Sequence, residues 1–213
     1  SLMINRRLIS FEGPEGSGKS TQIKRLSEKL IEMGEQVICV REPGGTQLGE
    51  SIRQTLQSTD SPPLSNASEL LLFMSSRAQL VNEVILPALQ EGKWVLCDRF
   101  VDSSVAYQGY GRGEDIPLIE RLNYYATQGL LPSLTILLEL NVNTCFERLT
   151  RRYCEINGEK DRIESESIDF HQRIIDGYRV ISSAEDRFKS IDGNQDPDVI
   201  ADDVFQWTMK LRS

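Results

Sequence analysis

A chain of 213 residues has room for one large domain or two small ones, and at 39% apolar and 26% charged it has an ordinary globular composition. Its 24 basic and 32 acidic residues leave a net charge of −8, which speaks against nucleic acid as a partner but not against local phosphate binding. No run of 18 apolar residues occurs, so no membrane span is expected; residues 1–7 lack the apolar stretch of a secretory signal, and Ser1-Leu2 ahead of Met3 reads as an expression remnant.

In chain order, residues 8–11 read as a short buried strand and 13–18 as a glycine-rich turn. Ile23, Leu26, Leu30 and Met33 then recur at helical spacing over 19–33, with Gly34 as the stop. A second strand covers 36–40, a third 94–97, a fourth 134–140 and a weaker fifth 188–191. Helices are predicted at 46–57, 66–90, 115–128, 143–153, 165–185 and 197–211. Strands separated by helices predict an α/β fold, a five-stranded parallel sheet with helices on both faces. Two loops stand out: 59–65, with Pro62-Pro63, and the charged 154–166. Helix 66–90 is apolar on more than one face, which fits either a central position or a face packed on a second copy. Cys39, Cys97, Cys145 and Cys154 form no CxxC pair, and Cys39 and Cys97 fall in strand-like runs. Buried thiols in a reducing compartment, hence a cytoplasmic location, are expected.

Gly13-Pro14-Glu15-Gly16-Ser17-Gly18-Lys19-Ser20 matches G-x4-G-K-[ST] between a strand and an amphipathic helix. The glycines let successive backbone N–H groups turn into one concavity that takes phosphate oxygens. Lys19 brings a point charge to the β- and γ-phosphates, and the Ser20 hydroxyl is placed to ligate Mg²⁺. A nucleoside triphosphate is therefore the expected ligand. The guanine-reading [NT]KxD pattern of GTPases is absent. The third strand ends in Asp98-Arg99: the carboxylate suits Mg²⁺, directly or through water, and the guanidinium suits phosphates.

At this point the chain resembles the thymidylate kinases of bacteria over nearly its whole length. The resemblance rests on residues 11–21, on Arg41-Glu42-Pro43-Gly44-Gly45-Thr46, and on Phe73 with Arg77. It continues in Asp98-Arg99-Phe100, in Ser103-Ser104-Val105-Ala106-Tyr107-Gln108-Gly109, and in Asp161-Arg162-Ile163-Glu164. It implies one nucleoside monophosphate kinase-like domain over 1–213, with a mobile lid at about 147–166. The implied reaction converts dTMP to dTDP with ATP and Mg²⁺, for dTTP biosynthesis, in a homodimer. The P-loop through Thr21 would hold ATP, and the Asp192-Gly193-Asn194-Gln195 loop would lie on its adenine side.

Carried over residue by residue, Phe73 would stack on thymine, and Arg77 and Gln108 would hydrogen-bond its edge. Ser104 would lie near the base, Pro43 at the substrate and Tyr107 against the deoxyribose. Glu15 would contact the 3′-hydroxyl, and Arg99 would bridge donor and acceptor phosphates. The P-loop has no Arg before Lys19, which fits the form whose lid supplies arginines. Arg152 and Arg162 are the catalytic candidates beside Lys19 and Arg99, with Arg151 next and Arg148 and Lys160 nearby. The lid is several residues longer than the compact bacterial form and carries six acids against five bases.

From the residues alone Phe73 is a core residue, and Tyr107-Gln108, ahead of Gly109, Gly111 and Gly113, begin a flexible stretch. Arg77 shares Phe73's helix face and needs a polar partner amid so much apolar surface. The lone His171 is not expected to bind metal. Two other readings stay open: a different nucleoside monophosphate or deoxynucleoside kinase, and a nucleotide switch that hydrolyses ATP slowly for a partner.

Overall fold

The computed structural model describes residues 3–60 and 62–212; the Ser1-Leu2 reading and Ser61 of the 59–65 loop lie outside them. Five parallel strands line up in the order β2-β3-β1-β4-β5: β1 Met3–Glu12, β2 Val37–Arg41, β3 Trp94–Asp98, β4 Leu130–Glu139 and β5 Phe188–Asp192. The α/β class, the parallel sheet and all five predicted strands are borne out. The order changes direction at β1, whose neighbours are β3 and β4, so a crevice opens beyond the carboxyl ends of these strands. The register brings Arg41 beside Asp98, Asp98 beside Phe11 and Glu139 beside Asp192, which collects charge along that one edge.

Both sheet faces are covered. Ile9, Phe11, Leu96, Ile136 and Leu138 pack against Ile23, Leu26 and Leu30 of α1 (Lys19–Glu32) and Ile200 and Val204 of α9 (Pro197–Lys210). On the opposite face Leu8, Val95 and Cys97 meet Leu80, Val81 and Ile85, while Leu137 meets α8 (Ile168–Ala184) through Tyr178 and Phe170. Strands buried on both faces explain why their runs are apolar rather than alternating.

Several boundaries depart from expectation for identifiable reasons. β1 and β4 extend toward their N-terminal ends as far as Met3↔Leu130, beyond a register shift between Asn5 and Ile9 that accommodates Pro132. Predicted helix 66–90 is α3 (Asn66–Leu80), a π-helical turn (Val81–Ile85) and α4 (Leu86–Gln90). Pro87, near the start of α4, has no N–H to give an i−4 carbonyl, and the wider turn absorbs that gap. Leu70, Met74, Leu80, Val81, Ile85, Ala88 and Leu89 belong to the core, yet Leu71 is 54% exposed. Cys39, expected buried, is exposed, because β2 is an edge strand; Cys97, on interior β3, is fully buried.

The stretch after β3 is not a flexible loop. Val101–Ser104 (α5) runs into a π-helical turn, Val105–Gly111, whose side chains are mostly buried. Its glycines serve close packing: a Cβ on Gly111 would sit 2.8 Å from the Phe170 ring, and one on Gly109 3.1 Å from Ile116. The helix α7 (Val142–Ile156) outlasts the predicted 143–153 and stops where Asn157 takes a left-handed φ of 50°. Between α5 and β4 lies α6 (Ile116–Thr127). Among the described residues, no helix is long and apolar enough to cross a membrane.

Candidate active site

The turn from β1 into α1 needs left-handed backbone at Gly13, Gly16 and Gly18, with φ of 136°, 77° and 97°. At Gly13 a Cβ would lie 2.4 Å from the Leu138 carbonyl oxygen, so only glycine fits beneath that strand end. Lys19 opens α1 and folds back toward the loop, its Nζ 3.4 Å and 3.5 Å from the carbonyls of Gly13 and Pro14. Those are weak contacts for a buried ammonium. Burial and then the nearby Arg99 lower its pKa, so a phosphate at the loop would remove a real electrostatic cost. The Ser20 hydroxyl and the Asp98 carboxylate border one cleft at the start of α1.

Arg99 directly follows β3. Its backbone N–H donates to Phe11 O, and its φ of 71° is a left-handed conformation that a side chain of this size rarely adopts. That backbone turn accompanies a side chain directed into the crevice. Its Nη2 donates to Glu15 Oε1 at 2.7 Å, and its Nη1 donates to Ser103 Oγ and Tyr178 Oη. The guanidinium lies 4.9 Å from the Tyr107 ring centre. Burial works to raise the Glu15 pKa, but Arg99 and Lys19 overcome it and hold this carboxyl down at about 2. A fixed cation on β3 is thus tied directly to the phosphate loop.

Beneath Arg99 lies Glu12, the last residue of β1 and fully buried. It accepts from Phe100 N at 2.8 Å, Ser103 Oγ at 2.6 Å and Tyr178 Oη at 2.7 Å. Burial first, then the charge of Asp102, raise its pKa to about 7. Between its unfolded value near 4.5 and about 7 the native state therefore holds the extra proton, and native stability falls as pH rises through that window. Glu12→Gln removes this contribution, so the melting temperature of the variant relative to the parent climbs from pH 5 to pH 8. Parallel melting curves against pH would contradict the assignment.

Beside Arg99 opens a cavity of about 350 Å³. Its wall includes Glu15, Pro43, Phe73, Arg99, Ser104, Tyr107, Gln108 and Arg152, so eight of the predicted site residues converge there. Phe73 is half-buried with its ring on the cavity, which the core reading did not anticipate. Arg77 stands behind this wall, 1% exposed. Its Nε donates to both Glu42 oxygens at 2.8 Å, its Nη1 to Ser104 Oγ at 2.9 Å and Asn123 Oδ1 at 2.7 Å, and its Nη2 to Phe100 O at 3.0 Å.

The two lid candidates occupy different places. Arg152, on α7, lines the cavity and bears electrostatically on Glu15. Arg162 does not line it: Nε donates to Leu56 O at 2.8 Å, and Nη2 lies 2.6 Å from Oε2 of the buried Glu69. Arg148 donates to Gly16 O at 2.9 Å and Gly193 O at 3.2 Å, tying α7 to the phosphate loop and to the 192–195 loop. Arg151 is exposed.

Sequence reasoning missed Arg53 on α2 (Gln47–Gln57), which borders the cavity and donates to Pro43 O at 3.0 Å. It follows buried Ile52 at the edge of an amphipathic helix, a place where a charged residue reads as solvated surface. Burial first, then Arg41, lower its pKa, as befits a cation held near others. Tyr153 and Ile156 were also missed as cavity residues; Ile156 lies beyond the end predicted for this helix at 153.

Comparison with known proteins agrees with this arrangement. The family model described as Thymidylate kinase matches residues 11–204. A thymidylate kinase of Exiguobacterium sp. is 43% identical over 203 residues, covering 95% of this chain and 93% of that protein. One from Solidesulfovibrio magneticus is 45% identical over 206 residues, covering 95% and 99%. The crystal structure of thymidylate kinase from Ehrlichia chaffeensis superposes with a TM-score of 0.77 at 31% identity, covering 96% of this chain and 99% of that one. With a phosphate loop, a buried arginine joined to it and a cavity alongside, matched end to end by these relatives, the chain belongs to the thymidylate kinase family.

Proposed function

We propose that the chain transfers the γ-phosphoryl group of ATP to dTMP, giving ADP and dTDP, as a single kinase domain. The observation that carries this reading is the position of Arg99, bonded to Glu15 of the phosphate loop and facing the cavity that holds Phe73, Ser104 and Gln108. A cation so placed neutralises charge on donor and acceptor phosphates together, the main task in a transfer that asks little covalent chemistry of the protein. ATP sits on residues 13–21, with Lys19 at its terminal phosphates. dTMP occupies the cavity with its base toward Phe73, Ser104 and Gln108 and its sugar toward Tyr107 and Glu15; Arg77, expected to hydrogen-bond the base edge, instead lies behind the wall and holds Ser104 in place there. Arg53 joins Arg99 at the acceptor phosphate. Arg152 and Arg162 are the lid cations, and Arg152 is the better placed because it already lines the cavity.

Ser20 and Asp98 would hold Mg²⁺. A hydroxyl and a carboxylate on one cleft suit a hard cation that takes its remaining oxygens from water and phosphate. The ion would neutralise negative charge on the nucleotide phosphates. ADP release measured with and without dTMP tests the reading, and acceptor-independent release would favour a nucleotide switch.

A cytoplasmic location fits four free thiols. A homodimer fits the exposure of Leu71 on α3 and Leu48 on neighbouring α2, at 54% and 48%. Sedimentation at micromolar concentration is expected to give twice the mass of the chain, and Leu71→Glu with Leu48→Glu a monomer. A monomer before substitution would remove the dimer from the account.

A further inference from the structure

Glu69 on α3 is a buried carboxylate, 1% exposed, that phosphoryl transfer does not require. Its Oε1 accepts from the Gln108 amide nitrogen at 2.9 Å and from Arg112 Nε at 3.2 Å. Its Oε2 accepts from Arg112 Nη2 at 3.1 Å and lies 2.6 Å from Arg162 Nη2 of the lid. Burial works to raise the Glu69 pKa, but hydrogen bonds from Arg112 and Gln108 and the charge of both arginines bring it below the ordinary value. An ionised carboxylate accepts hydrogen bonds and donates none.

That fact constrains Gln108. Its amide has one compatible orientation beside Glu69, with the NH₂ toward the carboxylate. The reverse would press Oε1 against a carboxylate oxygen in a buried site, where an unsatisfied polar contact is most costly. Gln108 is itself 1% exposed, yet it forms part of the cavity wall with Phe73 and Ser104. With one Nε2 hydrogen given to Glu69 and the NH₂ turned toward that carboxylate, the carbonyl Oε1 is on the opposite side of the amide and is the atom offered to a ligand, an acceptor.

We propose that Glu69 is a specificity-determining positioning residue that locks the Gln108 amide, so that the cavity accepts from a ring N3–H and thereby favours thymine and uracil over cytosine. Cytosine carries a lone pair at N3, and two acceptors would face each other. The inference rests on reading the cavity as the base site. Glu69 touches no substrate atom and acts through Gln108, while Arg112 and Arg162 keep it charged.

The test is steady-state kinetics of the full chain with ATP, Mg²⁺ and dTMP, dUMP or dCMP, before and after Glu69→Gln. A glutamine there accepts or donates, so the Gln108 amide is free to turn and offer its NH₂ to cytosine N3. The dTMP-over-dCMP ratio of kcat/KM is expected to fall by about tenfold or more, since donor–acceptor matching of a buried group underlies such discrimination. The dTMP-over-dUMP ratio stays within about twofold, because both bases carry N3–H. A merely structural role would depress all three acceptors alike; unmoved ratios with intact parental dTMP dependence overturn the proposal alone. Absence of dTMP dependence in the parent overturns the base-site reading, and the proposal with it. If circular dichroism shows Glu69→Gln unfolded, Glu69→Leu with Arg112→Leu replaces the buried pair by apolar bulk. That double variant frees the same amide and must lower the same ratio; an unchanged ratio again overturns the proposal.

Discussion

Arg99→Ala is expected to lower turnover by about a thousandfold or more while leaving the fold intact, in line with what a transition-state arginine contributes to phosphoryl transfer. The residue is 9% exposed, and its guanidinium donates inside the crevice to Glu15, Ser103 and Tyr178. Its backbone φ of 71° is costly for alanine and arginine alike, so truncation adds little new backbone strain. Glu15 loses its partner but keeps the nearby Lys19 charge. Arg99→Lys should rescue only a small part of the rate, because one ammonium cannot reproduce a fork that reaches Glu15, Ser103 and Tyr178 together. ADP release under saturating ATP and dTMP, with a circular-dichroism melt alongside, measures both halves. A variant that folds and turns over normally would refute the bridging role.

Arg77→Ala is expected to act on stability first, costing about 3–5 kcal/mol, because it strands a buried charge. Glu42 is 3% exposed at its side chain and takes both Arg77 Nε contacts. Burial already raises the Glu42 pKa in spite of that partner. The same guanidinium holds Ser104, Asn123 and the Phe100 carbonyl, so its loss loosens α3, α5 and α6 together. Adding Glu42→Gln to Arg77→Ala removes the stranded charge and should restore a large share of the stability, but not the affinity for dTMP. Chemical unfolding of the parent and the two variants checks this, and an Arg77→Ala protein as stable as the parent would contradict it.

Much of the architecture was legible because local patterns and the global fold agree. The β1–loop–α1 unit announces itself through Gly13, Gly16, Gly18 and Lys19, whose spacing follows from phosphate geometry. The apolar strands were readable because both faces of the sheet are buried. Where reading failed, a tertiary effect had overridden a local signal. Gly109 and Gly111 look like flexibility, yet they are small because Ile116 and Phe170 press on them. Cys39 looks buried in its run, but strand order leaves β2 at an edge.

The site shows the same division. Residues in compact motifs, Glu15, Lys19 and Arg99, could be named in advance. Arg53 could not, since nothing near it in sequence indicates that α2 faces the cavity. Arg162 sits in a motif, but its pairing with Glu69, 93 positions earlier, arises only in three dimensions. Glu69 itself reads as a polar position in the first turn of a helix and is one of the most buried charges in the chain.

The central claim is that the phosphate loop and the cavity beside Arg99 hold a donor and an acceptor of one phosphoryl group. The measurement that meets it most directly is ADP release from ATP and Mg²⁺ across dTMP, dUMP, dCMP, dGMP, UMP, thymidine and no acceptor. Release that depends strongly on dTMP is the predicted result. Equal release with and without any acceptor would contradict it, leaving a nucleotide-binding loop whose cavity serves something other than phosphoryl transfer.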